Sequence, residues 1–162
     1  MPAPASTMFS DRSVPPPLPG FIQANATHAQ LWQEGAEHWA TLHYWHAHES
    51  WETIWRSSDT THASSIRACI QLAAALYKPF QVERLRAMGK PECAGLVDGM
   101  RRLLDRARAG FDDGLDAELG VWFEREWQRA ESQWRAWKDK TTCATGCGDS
   151  SGGGPLTEAN GR

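Results

Sequence analysis

The sequence predicts an all-α protein, a compact bundle of about five helices between two disordered tails. Apolar residues recur at three- and four-residue steps through most of the chain, the period of a helix with one buried face. No stretch alternates apolar and polar residues between hairpin turns, so no strands are expected. Nine tryptophans in 162 residues must supply much of the buried surface of a domain this small.

Each element follows from that periodicity. Thr27 is placed to cap a first helix, Ala29 to Ala40, whose buried stripe is Leu31, Trp32, Ala36 and Trp39. A second helix, about His43 to Arg56, precedes a Ser57–Thr61 turn in which Thr60 or Thr61 can cap the next helix. The third, about His62 to Lys78, is apolar nearly all round apart from Arg67, Gln71 and Lys78, which suits a central helix wedged among neighbours. Pro79 is expected to stop it. A fourth helix begins near Pro91, buries Leu96, Met100, Leu103, Leu104 and Ala107, and ends at Gly110. After an Asp112-Asp113-Gly114 turn, Leu115 to Lys138 forms the last helix, burying Leu119, Trp122, Phe123, Trp127, Ala130, Trp134 and Trp137.

The helical domain is thus expected over 25–140. Residues 1–24 read as a disordered Pro-rich lead-in that takes no part in a core. Residues 141–162 read as a disordered Gly/Ser-rich tail. The Cys143/Cys147 pair in that tail has loosely metal-like spacing but no further ligand nearby. Cys69 and Cys93 sit in apolar patterns, as reduced cysteines do, and a cytoplasmic location is the expectation. A net charge of −3 argues against a nucleic-acid footprint. No apolar run approaches the roughly 20 residues that span a bilayer, and the N-terminus lacks the pattern of a secretory signal. No membrane partner is expected either. A small-molecule substrate, a protein partner and homo-oligomerisation all stay open.

The stretch richest in chemistry lies on the second helix, Ala47-His48-Glu49-Ser50-Trp51-Glu52-Thr53-Ile54-Trp55-Arg56. At about 100° per residue, Tyr44, Ala47, Trp51, Ile54 and Trp55 share an apolar arc, and His48, Glu52, Arg56 and Glu49 flank it. An imidazole and two carboxylates pressed against indoles need a cation, a hydrogen-bond network or a metal to compensate them. His48 and Glu52, at i and i+4, could hold a divalent metal with Glu49 as general base and Arg56 positioning a substrate. Further donors would come from Gln71, or from His38 and Glu34 on the first helix. Equally, the same groups could form a buried polar network with no cofactor. His43 and His46 share an exposed side and read as a solvated face, able to bind metal adventitiously. Arg101, Arg102, Arg106 and Arg108 resemble an anion patch, but Asp98 and Asp105 lie at pairing distance on the same helix.

Together with Ile70-Gln71-Leu72-Ala73-Ala74-Ala75-Leu76-Tyr77, the stretch from Trp39 to Arg56 resembles a family catalogued as domain of unknown function 309, sometimes labelled predicted metal-dependent hydrolase. Members typically read F-N-x-G-x-Y-F-E-A-H-E-x-L-E-x-x-W-R, then G-L-I-Q-x-A-x-A-x-Y. Tyr44, His48, Glu49, Glu52, Trp55, Arg56, Gln71 and Tyr77 carry over directly. Leu42 stands where the family usually has glycine, His46 replaces a glutamate, Ala40 the asparagine and Ala68 a glycine. The resemblance implies a helical fold and the label implies a metal. It implies no mechanism, and a non-enzymatic helical structural or interaction module fits the same residues.

Overall fold

The structure is a computed structural model that describes residues 14–19, 26–57, 63–90, 94–112, 114 and 116–145. Five helices follow one another: α1 (Ala26–Ala40), α2 (Tyr44–Ser57), α3 (Ala63–Ala87), α4 (Ala94–Gly110) and α5 (Ala117–Thr145). The described residues contain no strand. Each helix packs against the next, and α3 touches α2, α4 and α5. Its buried residues, from Ser65 to Val82, face all three neighbours. The all-round apolar pattern of α3 is therefore that of the central helix.

Several boundaries differ from the sequence expectation. Helix α1 begins at Ala26, so Thr27 lies inside it and not at the cap position expected. Pro79 does not stop α3, which runs on to Ala87. The proline removes one backbone donor, but Val82, one turn later, is buried and keeps the helix on its neighbours. The real stop is Gly89, at φ 71°. Gly89 N–H donates to Arg86 O and Lys90 N–H to Leu85 O, the paired bonds of a Schellman end. Helix α4 starts at Ala94, after Pro91. Helix α5 starts at Ala117, with Asp116 Oδ1 accepting from Leu119 N–H at 2.8 Å, and extends to Thr145, past Lys138. In the preceding turn Asp112 Oδ1 accepts from Gly114 N–H, as its sequence suggests. The Thr60/Thr61 cap, Cys93 and the Cys143/Cys147 pairing lie outside the described residues and side chains.

The core is built on indoles. Trp32 and Trp51 stack at 4.7 Å between centroids, Trp51 and Trp39 at 5.6 Å, and Trp122 meets Trp39 edge-on at 5.1 Å. Gly35 makes this possible, because a Cβ there would lie 2.1 Å from Trp51 Nε1. That indole N–H instead reaches the Trp32 carbonyl at 3.2 Å. The Pro-rich segment also contributes, contrary to expectation. Pro15, Leu18 and Pro19 are buried, and Trp32 Nε1 donates to Pro16 O at 2.8 Å. An extended proline segment leaves its carbonyls unpaired, so one of them is free to accept from a core indole. Trp127, Trp134 and Trp137 are only half-buried; the first two donate to the Leu104 and Val97 carbonyls of α4.

Candidate functional site

Helices α1 and α2 meet at a tight elbow, which sets where the α2 side chains point. Leu42 N–H donates to Trp39 O and His43 N–H to His38 O, a second Schellman end with Leu42 at φ 64°. The position where the resembled family motif has glycine is thus left-handed here, and this chain fills it with leucine.

Beyond the elbow the predicted site divides. His48 is half-buried, its ring stacked on Trp45 at 4.8 Å and 9°. Its Nδ1 is enclosed without a hydrogen-bond partner among the described residues. Glu52 Oε2 stands 4.0 Å away, an electrostatic neighbour too distant for a hydrogen bond. Burial lowers the His48 pKa below the usual histidine value, against the opposing pull of Glu52 and Glu49. The ring is neutral at pH 7. Glu52, 30% exposed, accepts from Arg56 Nη2 at 2.9 Å, and Arg56 itself is 71% exposed.

Glu49 does not join them. Its side chain is 55% exposed and faces His46 Nδ1 at 3.4 Å. The expectation that both carboxylates press inward thus holds for Glu52 alone, because Glu49 lies one step further round the helix. Tyr44 is buried on the other side, edge-on to Trp39 at 5.0 Å. Its hydroxyl accepts from Arg129 Nη2 at 3.3 Å. Burial raises its pKa and Arg129 partly offsets this. Arg129 also pairs with Glu126, a fully buried carboxylate on α5.

The remaining predicted residues lie along the α2–α3 seam. Trp45 meets Tyr77 at 5.4 Å at one end, Arg67 covers Trp55 at 5.6 Å at the other, and Gln71 lies between them on α3, half-buried. A groove of about 270 Å³ lined by Tyr77, Gln81, Arg84, Leu85, Met88 and Leu96 shares only Tyr77 with that set. Among the described residues, no three His, Cys, Asp or Glu side chains are gathered to hold a metal ion. Of the further donors expected for His48 and Glu52, His38 turns to His43 and His46, and Glu34 bonds Gln30.

Two features were missed in the sequence, and a third was read only in part. His28 is buried in α1 with Nε2 2.8 Å from Ser57 Oγ at the far end of α2. The Glu126–Arg129–Tyr44 cluster joins α5 to α2. At the elbow, His38, His43 and His46 stand together with ring centroids 5.2–6.4 Å apart. The spacing of those three histidines across a helix break was the available signal; nothing in the sequence marked Glu126 as different from other helical glutamates. Two of the four α4 arginines make ion pairs, one of them with the acidic neighbour expected on the same helix. Arg101 pairs with Asp105 and Glu131 and covers Trp134, and Arg108 pairs with Glu124 over Trp127.

Comparison with known families matches residues 32–89 to the family described as Domain of unknown function (DUF309). The matched segment covers α1 from Trp32, the elbow, α2 and all of α3, so the resemblance read from the motif is borne out over that segment. A search of the curated proteins found no match, and neither did a search of the solved structures. Among the described residues no helix is long and apolar enough to cross a membrane.

Proposed function

We propose that this chain is a non-enzymatic helical module, and that its family motif is architectural. One observation carries this reading: Glu52 stands beside the neutral His48 ring and pairs with Arg56, and all three lie on α2 itself at four-residue steps. Such a ladder stiffens one helix and orients Trp45 over His48. A metal-dependent hydrolase would need donors converging on His48 from other helices, and it would need Glu49 turned towards them. An exposed or half-exposed ladder of this kind contributes about 0.3–1 kcal/mol.

His48→Phe and Glu52→Gln together test it. The phenyl ring preserves the stack on Trp45, and the amide preserves the bond from Arg56. The double variant should fold and unfold within a few degrees of the parent in thermal denaturation. Hydrolysis of generic ester or phosphoester substrates by the parent, lost in the double variant, would overturn the reading.

A further inference from the structure

Residues 14–19 lie against α1 with a burial rhythm of three. Pro15 and Leu18 are buried, Val14 and Pro17 are exposed, and Pro16 and Pro19 are half-buried and buried. Three residues per turn is the period of a polyproline II helix, in which positions i and i+3 share a face. Pro15, Pro16, Pro17 and Pro19 each have φ fixed by the ring, so the segment arrives in the shape it keeps when seated. Pro16-Pro17-Leu18-Pro19 also has the Pro-x-x-Pro spacing that aromatic grooves read in such helices. The contact it makes is of that kind. The Trp32 indole donates to Pro16 O at 2.8 Å, while Leu18 joins the core cluster that contains Trp32.

Contacts within α1 and α2 hold the receiving side in place. Trp32 stacks on Trp51 at 4.7 Å, and its carbonyl accepts from the Trp51 indole at 3.2 Å. The Trp32 N–H is therefore a positioned donor beside an apolar slot. The segment itself demands little. Proline has no N–H, and a polyproline II helix makes no internal hydrogen bonds, so water satisfies the segment once it is released. Only residues 20–25 join it to α1, and a tether that short holds a local concentration in the millimolar range.

We propose that the slot beside Trp32 is a recognition site for proline-rich segments of other proteins, with residues 14–19 as its tethered occupant. The pattern it reads is Pro-x-x-Leu-Pro, as in Pro15 to Pro19. The proline and leucine three apart take the buried face, and the residue after the first proline offers its carbonyl to Trp32. The tether sets the threshold that a competing segment must pass. None of these contacts involves His48, Glu52 or Arg56, so the site stands apart from the architectural reading of their motif.

The test is fluorescence anisotropy with a dye-labelled synthetic peptide of residues 13–20. The parent should bind it weakly, because its own segment competes. The full chain carrying Leu18→Asp should bind it at least about tenfold more tightly, with circular dichroism still helical. A peptide carrying Leu18→Asp should not bind, and one carrying Val14→Ser should bind like the original. Trp32→Phe, added to the Leu18→Asp protein, should weaken binding about tenfold. A second measurement cleaves the folded parent at a protease site placed within residues 20–25, and it decides by itself if Leu18→Asp loses its helices. The cleaved piece should exchange with labelled peptide and leave a helical domain on gel filtration. Absence of peptide binding to the folded Leu18→Asp protein, a cleaved piece that never exchanges, or a domain that unfolds on losing it would each overturn the proposal. A stable parent dimer with exchanged segments would assign the slot to a second copy and overturn the partner named here.

Discussion

At the scale of single residues, two backbone positions decide how α1 meets α2. Gly35 has no room for a methyl group against the Trp51 indole. Gly35→Ala should therefore cost about 3 kcal/mol in chemical denaturation, more than the about 1 kcal/mol gained from helix propensity. Leu42 presents the reverse case. Its left-handed conformation is strained by roughly 1–2 kcal/mol, and glycine would relieve that at an entropic cost of about 0.5–1 kcal/mol. Leu42→Gly should raise stability by about 0.5–1 kcal/mol, measured by the same method. His48 gives a pH signature. Its folded-state pKa lies below the unfolded value, so the unfolded chain binds the extra proton first. The contribution of neutral His48 is fully present above about pH 6.5 and shrinks as pH falls towards the folded pKa. Between pH 7.5 and 5.5 the parent should lose more stability than His48→Phe; equal losses would contradict the burial of that ring.

At the scale of elements, the apolar period made all five helices legible, because each buries a stripe against its neighbours. Ends were less legible. Pro79 was read as a stop by local rule, but eight more residues stay helical because Val82 still packs inward. Gly89 and Leu42 end their helices through the same pair of backbone bonds, yet only glycine announces this in a sequence. The contact between α5 and α2 was not legible at all. It depends on Glu126, which is buried only because Arg129 reaches it and continues to Tyr44. Arg129→Ala should cost about 3 kcal/mol by stranding that carboxylate. Adding Glu126→Leu should recover most of the loss in a double-mutant cycle.

At the scale of the whole molecule, the candidate site was legible as a segment but not as a constellation. Spacing along α2 set His48 beside Glu52, which stands 4.0 Å away. It could not tell that Glu49 turns to His46, or that Tyr44 faces α5, since both depend on what the other helices place nearby. The Pro-rich segment shows the same limit: composition ruled it out of the core, whereas a buried Leu18 and one indole hydrogen bond put it there. Leu18→Ala should cost about 2 kcal/mol, read as a shift in denaturation midpoint without change in slope. The stacked indoles of Trp32, Trp51 and Trp39 lie close enough for their electronic transitions to mix. Light absorbed by one ring is then shared among three, and the native protein carries a chiral optical signal set by their relative orientation. That signal should vanish when the rings separate, even in a collapsed state whose helices survive.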